Sequence, residues 1–215
     1  MTMEIDAFLK LYRQARASAI LRTSDQALAR QAMQAAVRGG FRVIEFTLSI
    51  PGALELIAEF SANPDLVVGA GTVLTAEEAQ ATVSAGAKFL VSPVVDQLVI
   101  DESRRIGVAM MPGCSTPTEM LQAYRGGAAL QKLFPAPGTG PLWVAQTLGP
   151  LPFLRIVPTS GVTLENARQY LDAGAFAVGF VNSLFDPADV KHQRWEVIEA
   201  RARNMLAAVA QASSL

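Results

Sequence analysis

Short apolar runs alternate with amphipathic stretches along the whole chain. The apolar runs are SAILR, RVIEFTL, LVVGAGT, KFLVSP, GVAMMPG, ALQKLF, FLRIVPTS and FAVGFV. They are continuous rather than alternating, the pattern of parallel strands covered on both faces. The stretches between them carry helix signals. DQALARQAMQAAVRGG starts on Ser24 and Asp25 and stops on Gly39 and Gly40. TAEEAQATVSAGA starts on Thr75 with acids in its first turn, and TPTEMLQAYRGGA sets Thr116 before Pro117 and ends at Gly126 and Gly127. TLENARQYLDAGA runs from a Thr163 cap to Gly174. Polar caps and glycine stops delimit helices in this way. DPADVKHQRWEVIEARARNMLAAVAQ, residues 186–211, predicts one terminal helix.

An N-terminal helix followed by eight strand–helix units, spaced by roughly 20–25 residues, predicts a (β/α)8 TIM barrel with an extra N-terminal helix. The alternative is an open doubly wound sheet. No linker, low-complexity tract or block of charge divides the chain, so residues 1–215 read as one barrel domain.

Composition narrows the function classes. A chain of 215 residues suits one domain with a large core and is short for two. A 51% hydrophobic content with a formal net charge of −1 excludes disorder. Cys114 is the only cysteine, which excludes a disulfide scaffold, and with His192 as the only histidine no ordinary zinc set is available. No basic cluster points to nucleic acid. The longest apolar runs, about 5–7 residues, fall far short of a membrane span. The opening residues, MTMEIDAFLK, carry acids where a secretory signal has basic residues. The expectation is a cytoplasmic protein with no membrane and no nucleic-acid partner.

Chemistry in such a barrel collects at the carboxyl ends of the strands. Two charges interrupt apolar strands there: Glu45 in RVIEFTL and Lys132 in ALQKLF. A charge inside an apolar strand is costly unless paired or functional. Strand parity sets Glu45 with Thr47 on one face and Lys132 with Phe134 on one face; inward-facing, they share one cavity. Only Lys10, Lys88, Lys132 and Lys191 are lysines, and Lys88 falls at the amino end of its strand. Two readings fit Lys132 and Glu45. One is a buried ion pair. The other is an amine made nucleophilic by desolvation, which forms a Schiff base, with a carboxylate that moves protons.

Strands seven and eight end in VPTSG (Thr159, Ser160, Gly161) and VGFVNS (Gly179, Asn182, Ser183), where barrels often hold phosphate. The loop PAPGTGP adds candidate N–H donors at Gly138, Thr139 and Gly140. Gly69-Ala70-Gly71 lacks the third glycine of a dinucleotide fingerprint. Cys114 follows a strand and reads as a small semi-buried residue; His192 reads as a surface residue and Met110–Met111 as core. Trp143 and Trp195 fall on helices, and one of them is a candidate for a subunit contact.

VIEFTL, VVGAGTVL, AGAKFLVSP, MPGCSTPTE, KLFP and VPTSGV occur in this order between about Ala19 and Phe185. Together they resemble the 2-keto-3-deoxy-6-phosphogluconate / 4-hydroxy-2-oxoglutarate (KDPG/KHG) aldolase family of class I aldolases on (β/α)8 barrels. The resemblance implies Lys132 as the Schiff-base lysine and Glu45 as the general acid/base. It implies Thr72, Pro93 and Phe134 around the pyruvate-derived part of the substrate. It sets Thr159, Ser160 and Gly161 by the substrate and its phosphate, with Ser183 helping to hold phosphate. It also implies a homotrimer, no metal and no cofactor, and a small keto-acid substrate expected to be phosphorylated. Glyoxylate and a phosphorylated triose both remain open as the aldehyde product.

Three departures bear on specificity. Ser49 stands where many members carry an arginine for the substrate carboxylate, and Arg22 at the end of strand one is the candidate replacement. Ser160 stands where glycine is usual, and the strand-eight loop, GFVNSLF, is longer than the common form. A phosphosugar isomerase or epimerase on the same barrel, or a non-catalytic keto-acid binder, are the competing functions; neither uses an imine lysine.

Overall fold

The computed structural model describes residues 3–210. Helix α1 (Ile5–Ala15) leads into β1 (Ala17–Leu21), α2 (Gln26–Arg38), β2 (Val43–Thr47), α3 (Ala53–Ser61), β3 (Val67–Gly71) and α4 (Ala76–Ser84). The alternation continues through β4 (Phe89–Ser92), α5 (Gln97–Arg105), β5 (Ala109–Cys114), α6 (Pro117–Gly126), β6 (Gln131–Leu133) and α7 (Pro141–Leu148). It ends with β7 (Ile156–Pro158), α8 (Ala167–Asp172), β8 (Val178–Phe180), α9 (Pro187–Lys191) and α10 (Trp195–Ala210). The eight strands form one sheet in the order β7-β6-β5-β4-β3-β2-β1-β8, parallel at every ladder. The Phe176 N–H donates to the Ile156 carbonyl at 2.8 Å and draws β7 and β8 together, so the sheet curls into a nearly closed (β/α)8 barrel. The doubly wound alternative is thereby excluded.

Alternate residues of each strand enter two different cores. Ile44, Phe46, Val68, Ala70, Leu90 and Met110 face outward and pack with the helices. Val43, Val67, Phe89, Val91, Ala109, Met111 and Val157 fill the bore. Val43 inward and Ile44 outward set Glu45 inward, and Leu130 inward with Leu133 outward sets Lys132 inward by the same two-residue period. Helix α1 plugs the amino-terminal end of the bore. Its Phe8 stacks on Phe89 with ring centroids 4.9 Å apart, and the hydroxyls of Tyr12 and Ser18 share a 2.8 Å hydrogen bond.

The caps follow the sequence closely. Asp25, Thr75 and Thr116 accept hydrogen bonds from the first turns of α2, α4 and α6, and Thr116 with Glu119 completes a capping box. Gly127 ends α6 at φ 98°, a left-handed cap that an L side chain resists.

Three expectations are corrected. Helix α8 starts at Ala167 rather than at a Thr163 cap, because the Asn166 carboxamide bonds the Gly161 carbonyl and the Thr163 N–H and holds the segment between them in a turn. The single terminal helix is two helices, broken at Gln193 with φ 56°. Asp189 fixes that corner through Arg194 at 3.2 Å and Arg201 at 2.6 Å; Gln211 lies outside the described residues. Cys114 is the last residue of β5 and fully buried, not in the following loop. His192 is exposed and ends α9, and Trp143 and Trp195 pack half-buried against the outer core.

The plug is a stability element. Phe8→Ala should lower unfolding free energy by about 3–5 kcal/mol, as for a large aromatic removed from a packed core. Urea denaturation checks this, and a change below about 1 kcal/mol would show that the bore closes without α1.

Candidate active site

A cavity of about 470 Å³ opens at the carboxyl ends of the strands. Ile20, Thr47 and Lys132 enter it from β1, β2 and β6, with Arg22 and Phe134 just past their strand ends. The loop after β7 supplies residues 159–163, and the loop after β8 supplies residues 181–183.

Glu45 is 1% exposed and Lys132 9% exposed. Burial pushes the Glu45 carboxyl up; the positive charges of Lys132 and Arg22 oppose this and are outweighed. Burial pulls the Lys132 ammonium down, Glu45 opposes it, and Arg22 adds to it. Both groups therefore move toward their neutral forms. The Lys132 Nζ lies 4.9 Å from the centre of the Phe134 ring.

Among the described residues, four buried side-chain polar atoms have no hydrogen-bond partner: both carboxyl oxygens of Glu45, Thr159 Oγ1 and Ser183 Oγ. Folds satisfy buried polar atoms almost everywhere, and exceptions need a cause. Thr159 and Ser183 line the cavity at the ends of β7 and β8, whereas Glu45, in the middle of β2, lies deeper in the bore and off the cavity wall.

Arg22 donates from Nη2 to Thr72 Oγ1 at 3.2 Å, and Thr72 is held at φ 63°, a left-handed conformation rare for a β-branched residue. Phe134, Ser160, Gly161 and Ser183 line the cavity with Thr159. Other sequence candidates fall elsewhere. Ser49 lies outside the cavity wall; Thr47 donates to the Leu21 carbonyl at 3.2 Å, so the Ser49 hydroxyl donates to Thr47 at 2.8 Å. Pro93 also lies off the wall, its carbonyl packed where a side chain on Gly113 would stand. Gly179 is buried behind the wall: a Cβ there would meet Ile20 at 2.6 Å and Thr159 at 2.8 Å. Gly138, Thr139 and Gly140 do not line the cavity either.

Ile20, Val162, Thr163 and Val181 are wall residues that sequence reasoning did not select, while Thr47 was placed on the inward face with Glu45. Stepping back by two along the strand from Arg22 would have found Ile20. Thr163 carried only a cap signal. Cys114 has its thiol pushed up to about 12 by burial, so it is no nucleophile at neutral pH. Among the described residues no group of three or more His, Cys, Asp or Glu gathers to hold a metal, and no helix is long and apolar enough to cross a membrane.

A (β/α)8 barrel with a desolvated lysine on the cavity at its mouth, and a desolvated carboxyl deeper in the bore, suits a lyase. The sequence profile described as KDPG and KHG aldolase matches residues 8–201, and the chain belongs to that family. It is an aldolase, an aldehyde-lyase. The chain is 35% identical over 172 residues to the 2-dehydro-3-deoxy-6-phosphogalactonate aldolase of Escherichia coli K12, covering 78% of this chain and 83% of that one. It is 34% identical over 140 residues to the 2-dehydro-3-deoxy-phosphogluconate aldolase of Pseudoalteromonas atlantica, covering 64% and 65%. The solved aldolase of Zymomonas mobilis ZM4 with 3-phosphoglycerate superposes with TM-score 0.80 at 30% identity, over 96% of this chain and 97% of that one. The isomerase and non-catalytic readings give way to the lyase.

The electrostatics have a sign that can be checked. Arg22 lowers the Lys132 pKa, so Arg22→Ala should raise it. The acid limb of imine formation, read by borohydride trapping across pH, should then move to higher pH. A limb that stays or moves down would contradict the coupling.

Proposed function

We propose that Lys132 and Glu45 carry the lyase chemistry and that the natural substrate is a 6-phosphorylated 2-keto-3-deoxy sugar acid. The observation that carries this is the buried amine and buried carboxyl driven toward neutrality within one bore, with both Glu45 oxygens unbonded. The Lys132 amine adds to the C2 ketone, and loss of water gives the iminium. Glu45 takes the C4 hydroxyl proton as the C3–C4 bond breaks; that electron pair passes to the iminium nitrogen, leaving an enamine. The aldehyde departs, Glu45 returns the proton to C3, and water releases pyruvate from Lys132.

Arg22 holds the substrate carboxylate. Ser49 is engaged by Thr47 and outside the wall, whereas Arg22 lines the cavity and acts electrostatically on both Lys132 and Glu45. The far end of the substrate lies against Ser160, Gly161 and Ser183, and the unpartnered Ser183 hydroxyl supports a phosphate there. Phosphate at this end favours glyceraldehyde 3-phosphate over glyoxylate as the aldehyde. A cytoplasmic homotrimer completes the reading. The exposed Leu74, Val94 and Leu98, close to the ends of β3 and β4, support a subunit contact there.

Borohydride with pyruvate tests the chemistry. A reduced adduct should map to Lys132 and vanish in Lys132→Ala while the fold survives; an adduct on Lys88 would refute the assignment. Arg22→Ala removes a charged hydrogen bond worth about 1.5–3 kcal/mol. Pyruvate affinity, measured by titrating trapping, should fall roughly 10–100-fold, with Lys132 still reactive toward neutral aldehydes. An unchanged affinity would return the carboxylate to backbone N–H groups.

A further inference from the structure

Strand β3 turns two glycines into the bore, Gly69 and Gly71, in step with the inward Val67. They make room for different things. A Cβ on Gly69 would strike the Phe89 ring at 2.3 Å, so Gly69 serves the apolar core. The three atoms nearest a Cβ on Gly71 all belong to Glu45: Oε1 at 2.0 Å, Cδ at 2.9 Å and Cγ at 3.2 Å. Gly71 is in a strand and is not among the residues with positive φ, so its backbone is one that any residue adopts. The closest steric consequence of a side chain there falls on Glu45.

The register shows what that consequence is. Glu45 pairs with Gly69 across the ladder, and Thr47 pairs with Gly71. The Glu45 side chain therefore leans along the strand toward the mouth and lays its carboxyl over the backbone of a residue two places further on. We propose that Gly71 is a positioning residue for proton transfer. Its missing Cβ opens the space that seats the Glu45 carboxyl on the cavity side of the bore, with both oxygens free of protein partners. Any side chain at this position displaces the carboxyl. The displaced group is the far end of a flexible side chain, so the fold accommodates the change while the proton relay does not. The proposal rests on the reading of Glu45 as the acid/base.

Exchange of the pyruvate methyl protons in D2O, followed by NMR, reads proton transfer separately from imine formation, which borohydride trapping reads. Gly71→Ala should keep trapping at Lys132 and lose exchange about 10²-fold, the penalty for an ångström-scale misplacement of a reacting group. Glu45→Ala should lose exchange about 10²–10⁴-fold. Adding Gly71→Ala to Glu45→Ala should cost nothing further, because both changes act through one group. Wild-type exchange in Gly71→Ala beside impaired Glu45→Ala overturns the positioning role alone, as does a double variant whose loss is the product of the two. Wild-type exchange in Glu45→Ala overturns the acid/base reading and the positioning role with it. If Gly71→Ala also loses trapping, the double variant decides, since truncating Glu45 vacates the space the new methyl needs. Recovered trapping there supports the proposal, and its continued absence overturns it.

Discussion

Withdrawing Glu45 and Lys132 from water drives each toward its neutral form, and the rest of the site is arranged around that desolvation. β-strand side chains of one parity fill the bore with apolar groups, and α1 closes its amino-terminal end with Phe8 and Tyr12. The arrangement works against stability. A carboxyl raised above its ordinary 4.5 contributes to stability below that value and loses the contribution as pH rises through its folded pKa. An ammonium lowered below 10.5 contributes above that value and loses the contribution as pH falls through its folded pKa. Across the neutral range the unfolded chain is the better place for both charges. The apolar packing on either side of the sheet offsets this.

Recognition is divided by depth and by charge. Arg22 is the single arginine on the cavity wall, anchored on Thr72, whose left-handed backbone costs of order 1–3 kcal/mol. Strain of that size persists where surrounding structure enforces it, here between the end of β3 and the packed Val73. The rim beyond β7 and β8 is uncharged, made of the hydroxyls of Thr159, Ser160, Thr163 and Ser183, the Asn182 carboxamide, Gly161 and two valines. The Lys132 ammonium is lowered by desolvation first, with Glu45 opposing and Arg22 adding to the shift, and the uncharged rim adds no further protein charge.

Much of this was legible in the sequence, for identifiable reasons. Glu45 and Lys132 stood out because a charge inside an unbroken apolar run has few structural uses. The barrel followed from repetition, since eight similar units have few ways to bury their strands. What failed to carry was direction beyond the strand ends. Parity assigns a face only while the backbone stays extended, so Ser49, two residues past Thr47, turned away from the cavity, whereas Arg22, one residue past β1, keeps the inward parity of Ile20 and lines it. Gly179 illustrates a second limit: a glycine near a phosphate loop can serve the packing of Ile20 and Thr159 instead of a ligand. The helix boundaries missed at Thr163 and Gln193 depended on side chains closing local hydrogen bonds, Asn166 and Asp189, which propensity does not resolve.

The four unpartnered polar atoms show how the fold separates chemistry from specificity. Two belong to Glu45, deep in β2, and two to Thr159 and Ser183 on the loops that follow β7 and β8. The deep pair is bounded by strand backbone, where a one-residue change of register would invert every inward side chain, so its geometry is fixed by the sheet itself. The rim atoms sit on loops, where substitutions such as Ser160 for glycine alter reach without touching the ladder. A barrel of this kind can therefore exchange the aldehyde half of its substrate by varying the β7 and β8 loops. The keto-acid half, under the proposed roles of Lys132 and Glu45, stays tied to the register of β2, β3 and β6, because both are inward residues of that sheet.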